Sequence, residues 1–287
     1  MVKRIVSKNT IINSVDIENK IKSSLSFAMK KMWQFSFDTS GNNRSSGKTD
    51  YLHNQWGKIL ELSFGDYEDV FRDNFELVVE KEKTGSNTTN QIKKIIDIFG
   101  KHFKVDMLLN HNDKIHTVFL LKAPLTSINK NRFNSCLNLF GEINRFYGNN
   151  DNSKIKLVFV NFTPKQTFTK DDKTKTLKTE SVQYLGLNRD DNGESPLEKS
   201  VITDKAKENI HEIHIEYSLN LDSSLSNITS ENMLKDLINR DTASIKVDSD
   251  ALNDLKSYID IFIAQNNHIF NIYPVEQIES TATKVKP

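Results

Sequence analysis

Asp106 and Lys122 stand inside two apolar runs joined by a polar turn, in the stretch FKVDMLLNHNDKIHTVFLLKAP from Phe103 to Pro124. A charge in a strand that packs on one or both faces costs several kcal/mol unless it is paired or coordinates a metal. The two residues therefore point to one of three roles: a structural ion pair, edge charges that deter aggregation, or a site where an acid and an amine do chemistry.

Which role is open to them depends on whether they share a face of the sheet. Side chains alternate along a strand, so Lys104, Asp106, Leu108 and Asn110 lie on one face of the first run and His116, Val118, Leu120 and Lys122 on one face of the second. A two-residue loop at His111-Asn112 would pair 106 with 117 and separate the charged sets. A three-residue loop, His111 to Asp113, would pair 106 with 118 and unite them, and Asn112 or Asp113 can take the left-handed conformation it needs. The odd-length turn is the expectation. Even then Lys122 lies roughly 13 Å beyond Val118 along the strand at about 3.3 Å per residue, so a bulge or a later turn must close the gap.

The surrounding periodicity supplies the elements that would hold this hairpin. Ile17, Ile21, Leu25, Met29 and Met32 have helical spacing within 11–35, and a polar, Gly- and Ser-rich stretch at 39–48 separates them from a second helix over about 50–64. In that helix Leu52, Trp56, Ile59, Leu60 and Ser63 form one arc, with Gly57 and Glu61 opposite. A strand is expected at 75–80 and a short helix at 90–99. After the hairpin come a helix over 129–147, with Phe133, Cys136, Leu137, Phe140, Ile143 and Tyr147 inward, and a buried strand at 155–162 closed by Thr163-Pro164. Beyond these lie a lysine-rich loop at 165–191, a strand at 210–219, an ambiguous stretch at 238–247 and an amphipathic helix over 249–270. His211 and His214 sit three apart on a strand, so they face opposite ways and are discounted as a metal pair.

Composition narrows the classes. The 287 residues can bury a substantial core, and the formal net charge of +1 means that any attraction to nucleic acid must come from local clustering. A single cysteine, Cys136, excludes an intrachain disulfide framework or a Cys-rich zinc site. With no apolar run of membrane-spanning length and no secretory-type start, a cytoplasmic protein without membrane contact is expected.

A strand aspartate, a hairpin turn, a lysine at the end of the next strand, then a helix and a buried strand together resemble the core of the PD-(D/E)xK nucleases, the superfamily that contains most type II restriction endonucleases. The resemblance covers about 51–162 and lies more in layout than in exact motif. Asp106 matches the family's metal-binding aspartate, Lys122 its lysine, and Glu61 the acidic residue common on the preceding helix. Val105 stands where the pattern often has proline, and Leu120 where it has Glu or Asp. The site is thereby one carboxylate short. Some members recruit that group from the following helix, where Glu142 is the candidate, although Glu142 and Glu61 both lie opposite the apolar arcs of their helices, Glu142 by about 150°.

The resemblance implies an α/β fold with a central mixed sheet flanked by helices. A helical N-terminal segment (1–48) would precede a nuclease-like core (49–219, with the basic loop 165–191), and a helical C-terminal segment (220–287) would follow, all within one compact domain. It implies a Mg²⁺-dependent, sequence-specific endonuclease of double-stranded DNA, homodimeric because cutting both strands of a palindrome calls for two equivalent sites. Asp106, Glu61 and Glu142 would hold metal, and Lys122 would orient water or stabilise developing charge. DNA contacts are expected from Lys130, Asn131 and Arg132 at a helix N-terminus and from Lys165, Lys170, Lys173 and Lys175 in the loop. Two other readings stay open: a catalytically inactive, nuclease-like DNA-binding protein, motivated by Leu120, and a protein-interaction module.

Overall fold

The computed structural model describes residues 14–38, 47–79, 95–126, 128–171, 173–174, 176–188, 194–200 and 202–270. Two helices come first, α1 (Val15–Asp38) and α2 (Gly47–Ser63), followed by the short α3 (Glu68–Asn74). The strand β1 (Glu76–Val79) precedes the hairpin β2 (Met107–His111) and β3 (Lys114–Lys122); then come α4 (Ile128–Tyr147) and β4 (Lys156–Pro164). The second half contains β5 (Gln166–Lys170), β6 (Leu177–Ser181), the one-turn helices α5 (Pro196–Lys199) and α6 (Asp204–Lys207), β7 (Ile210–Asn220), α7 (Glu231–Ile238), β8 (Ser244–Val247), α8 (Asn253–Gln265) and α9 (Asn267–Phe270).

Among the described residues six strands form one mixed sheet in the order β1-β2-β3-β4-β7-β8. The pairs β1–β2, β2–β3 and β7–β8 are antiparallel, whereas β3–β4 and β4–β7 are parallel. Parallel neighbours need a crossover, and α4 provides the first one between β3 and β4. A mixed α/β sheet flanked by helices is therefore the architecture. The C-terminal segment is not purely helical: the ambiguous stretch at 238–247 resolves into the end of α7 and the edge strand β8.

The sheet has an apolar cluster on each face. On one, α1 contributes Ile21, Leu25, Met29 and Met32, while α2 contributes Leu52, Trp56, Ile59 and Leu60, against Met107, Phe119, Val158, Ile213 and Tyr217. On the other, Leu139, Ile143 and Phe146 of α4 cover Val118, Leu120, Leu157 and Phe159. Central strand β4 is buried along nearly its whole length, as a parallel strand covered on both faces must be. Its polar residues, Asn161 and Thr163, are 4 % and 1 % exposed.

The hairpin departs from expectation in its turn, and Asp106 and Lys122 do not share a face: Asp106 is turned toward His53 on the α2 side, Lys122 toward Glu142 on the α4 side. Asn112 and Asp113 form a two-residue turn with φ of 49° and 60°, and both central residues of a type I′ turn need positive φ. His111 pairs with Lys114 and Asn110 with Ile115; the register then slips by one, so that Leu109 faces Thr117 and Leu108 faces Val118. The bulge inserts the single residue that an odd-length loop would have supplied. The ladder then ends with Met107 opposite Phe119, and Asp106 lies in the bend just beyond it.

Other expectations are corrected. In place of a short helix at 90–99, residues 95–102 make a tight loop: Asp97 Oδ1 accepts from the N–H groups of Phe99 (2.9 Å) and Lys101 (3.0 Å), Ile96 bridges His102, and 90–94 lie outside the described residues. The expected loop at 165–191 contains the β5–β6 hairpin. Strand β4 runs on through Thr163 and Pro164, where a stop was expected.

Candidate functional site

Strands β3 and β4 run parallel and end together, and β7 lies parallel beside them. Lys122, Asn161 and His214 therefore form one row across three strands, at the carboxyl end where parallel sheets place their clefts. A cleft of about 600 Å³ opens there, lined among others by Lys122, Arg132, Glu142, Asn161, Thr163 and Tyr184.

Lys122 Nζ donates to Glu142 Oε1 at 2.9 Å. The expected 150° offset of Glu142 came from an apolar arc that included Phe133 and Leu137. These two are 61 % and 67 % exposed, and the buried stripe of α4 is Ile128, Leu139, Ile143 and Phe146. Measured from that stripe, Glu142 is only about 60° off centre, at the flank that overlooks the end of β3. Its second oxygen, Oε2, has no accessible surface and no hydrogen-bond partner among the described residues. A buried acceptor left unsatisfied costs about 1–3 kcal/mol.

Asp106 occupies a bend immediately before β2. Its main-chain N–H donates to Phe119 O (3.2 Å), and its Oδ2 accepts from Leu121 N–H at 2.7 Å, taking the place of the strand carbonyl that would otherwise pair there. Oδ1 lies 3.9 Å from His53 Nδ1, across from α2. Asp106 and Lys122 thus address successive residues at the end of β3, but Asp106 does not line the cleft that holds Lys122. Glu61 is placed apart from both. It pairs with Arg72 Nε at 3.2 Å, about 12 Å along α2 from His53 at roughly 1.5 Å per residue. Between them Gly57 packs against Met107 and Leu77.

A polar network on β4 and β7 was not anticipated from sequence. Glu212 Oε1 accepts from Asn161 Nδ2 (2.9 Å) and from the Tyr184 hydroxyl, while Oε2 accepts from the N–H groups of Leu187 (2.8 Å) and Asn188 (3.1 Å). Desolvation raises the Glu212 carboxyl above its ordinary range, and those donors pull it back. Burial, with Glu212 beside it, lifts the Tyr184 hydroxyl well above its usual value, keeping it a donor. The Tyr184 ring stacks on His214 with centroids 3.9 Å apart, and desolvation lowers His214 to about 4. The available signal was a polar pair, Asn161 and Thr163, within an otherwise continuous apolar strand, together with Glu212 in an alternating one.

This network straps the segment after β6 over the cleft, and Gly186 is where it passes closest. A Cβ there would sit 2.5 and 2.6 Å from the two Glu212 carboxylate oxygens and 2.7 Å from Tyr184 Cε1. Four hydrogen bonds hold that carboxylate, so it cannot swing aside. Gly186→Ala is expected to lower stability by about 1–3 kcal/mol, read as a reduced urea midpoint at unchanged slope.

Of the residues expected to touch DNA, Arg132 lies on the cleft wall with its guanidinium over Phe133 (4.8 Å) and bonded to Gln183, while Lys130 and Asn131 are exposed at the start of α4. Lys165 pairs with Asp248 (2.9 Å) and Lys170 with Glu231 (3.3 Å), which neutralises much of the basic loop. Lys173 is exposed, and Lys175 lies outside the described residues. Among the described residues no helix is long and apolar enough to cross a membrane, and no three His, Cys, Asp or Glu converge on a metal-sized point. No protein-family model, curated protein or solved structure matches the chain.

Proposed function

We propose that the chain is a Mg²⁺-dependent endonuclease of double-stranded DNA, of the restriction type, with Lys122 and Glu142 at its centre. The observation that carries this reading is the Lys122–Glu142 pair at the cleft end of β3, where a carboxylate arrives from the following helix with one oxygen buried and unpartnered. The antiparallel β1-β2-β3 unit, followed by α4 and the parallel β4, supports a restriction-endonuclease-like core.

The donors present suit Mg²⁺. This ion takes hard oxygens, keeps several waters and commonly rests on one or two carboxylates plus substrate phosphate rather than on an all-protein cage. Glu142 would hold it; Asp106, whose Oδ1 faces His53 outside this cleft, and Glu61, paired with Arg72, are the weaker candidates. When bound, Mg²⁺ supplies an acidified water and relieves charge on the scissile phosphate. The chain's own contribution is positional. Glu142 fixes the Lys122 ammonium at the cleft, from which it stabilises the charge that develops on phosphate oxygen, and Arg132 on the wall favours the approach of the backbone, while Arg145 is paired with Asp97. Two chains acting together is the assembly that cutting both strands of a palindrome requires.

One observation favours a second reading, an inactive DNA-binding relative. Leu120, 3 % exposed and packed in the α4-facing core, fills the position of the expected acid. Incubating the purified protein with long duplex DNA and Mg²⁺ separates the two: discrete fragments support the enzyme, whereas salt-sensitive binding with no fragments under any divalent metal supports the inactive relative.

A further inference from the structure

The lining of the cleft suits an anion that carries a flat ring. Lys122, Arg132 and Arg145 line it against one carboxylate, Glu142, and Lys122 already occupies that carboxylate. Asp97 answers Arg145 from outside the lining. Leu137, 67 % exposed, and Leu185 supply an apolar wall. The volume of about 600 Å³ falls among pockets of roughly 300–1,000 Å³ that enclose a whole small molecule rather than a lone ion. One polar group in this lining has its direction fixed. Asn161, between Lys122 and His214 in the sheet, donates from Nδ2 to Glu212 Oε1 at 2.9 Å. A carboxylate can only accept, so the amide must turn its NH₂ to Glu212 and its carbonyl oxygen away from it. The Tyr184 hydroxyl and the Leu187 and Asn188 N–H groups hold Glu212 in place, so the Asn161 amide cannot flip. It therefore offers the cleft an acceptor, Oδ1, which accepts no hydrogen bond among the described residues.

We propose that the cleft binds one nucleoside monophosphate unit whose base carries an exocyclic amino group, cytosine or adenine. The phosphate rests on the cationic side chains, and the amino group donates to Asn161 Oδ1. A keto group in its place, as in uracil, sets oxygen against oxygen and leaves Oδ1 unsatisfied. Glu212 is then a positioning residue: it touches no nucleotide and fixes which end of the Asn161 amide the base meets. The inference goes beyond the endonuclease reading and stands without it, because the unit is either a free nucleotide or one extruded from a nucleic-acid strand.

The test is calorimetric binding of deoxycytidine monophosphate, deoxyuridine monophosphate and inorganic phosphate to the full chain. The two nucleotides differ in an amino or a keto group at one ring position, with the ring proton that follows from it. The native protein is expected to prefer the cytosine nucleotide by about 10-fold or more and to bind inorganic phosphate most weakly. Glu212→Gln can turn its own NH₂ to Asn161, which releases the Asn161 amide to flip, and is expected to abolish the preference. Arg132→Ala is expected to weaken both nucleotides by a similar factor. Equal affinity for the two nucleotides in the native protein overturns the inference, as does binding of neither at millimolar concentration, or phosphate bound as tightly as the nucleotides. Each of these results leaves cleavage of duplex DNA free to occur, so the endonuclease reading stands or falls separately. Should either variant fail to fold, the native comparison decides. A duplex with 2-aminopurine beside a cytosine identifies the source: fluorescence that rises on binding and is reversed by free deoxycytidine monophosphate supports the site as one for an extruded nucleotide. The same preference without that rise supports it as one for the free nucleotide.

Discussion

Replacing Lys122 by alanine is expected to reduce Mg²⁺-dependent cleavage of duplex DNA by about 10²–10³-fold, the usual loss when a charge-stabilising donor is removed from an active site. The loss should fall on the rate constant rather than on DNA affinity, because Lys122 acts on charge that develops only as the phosphate reacts. Stability should hardly change. The Lys122 and Glu142 side chains are 40 % and 27 % exposed, and a partly exposed pair of this kind contributes about 0–1 kcal/mol. A variant that melts like the native protein and binds DNA equally well, but no longer cuts, is the expected outcome. Undiminished cleavage in Lys122→Ala would remove this cleft from the chemistry.

Acid is expected to unfold the protein well above the pH at which its carboxylates titrate. Three half-buried imidazoles are held neutral. Burial lowers His116 to about 4, with Lys156 and His111 adding repulsion; burial and Lys156 lower His211 to about 4; burial lowers His214 to about 4. His116 is boxed by Phe75 and Phe262 and hydrogen-bonds Thr117, and His211 packs against Tyr258. His214 contacts Thr163 and Tyr184, and its main-chain N–H donates to Asp254 (3.0 Å). Lys156, beside the first two, is itself lowered to about 8 by desolvation.

The sign follows from proton counts. Between the unfolded value near 6.5 and the folded value near 4 the unfolded chain binds more protons, so stability is full above about pH 6.5 and falls as pH drops toward 4. Each ring contributes at most about 3 kcal/mol, less to the extent that it still meets water. Urea unfolding from pH 7 to pH 4 should therefore show a loss of several kcal/mol, with most of the loss above pH 4. His116→Gln and His211→Gln should each flatten that slope. A pH-independent midpoint across this window would show that the imidazoles are not held neutral by the fold.

Much of the fold was legible because its elements announce themselves by period. The α1 stripe from Ile17 to Met32 and the continuous apolar run of β4 needed no tertiary information. The hairpin was legible as two strands and a turn but not in its register. An extra residue in the loop would have kept the alternation of β3, whereas the bulge at His116 breaks it and turns His116 toward Phe75 and Phe262, away from the face of Val118 and Leu120, and nothing local to Asn112-Asp113 announces it. The tilt of α4 was not legible: Phe133 and Leu137 extend its apolar arc in sequence but stay exposed, so the helical wheel was centred wrongly and Glu142 looked outward. Glu212 and Asn161 were overlooked because their partnership crosses two parallel strands 51 residues apart, a separation that no sequence window spans. Asp106 and Lys122 do not meet: Asp106 is held by the Leu121 N–H beside His53, and Lys122 by Glu142 in the cleft.

The most direct measurement is the fate of long duplex DNA incubated at neutral pH with the purified chain, with Mg²⁺ and, in parallel, with a chelator. A metal-dependent endonuclease centred on Lys122 and Glu142 predicts discrete fragments in Mg²⁺ and none in the chelator. Intact DNA under both Mg²⁺ and Mn²⁺, from a protein that is folded and binds the duplex, would contradict it.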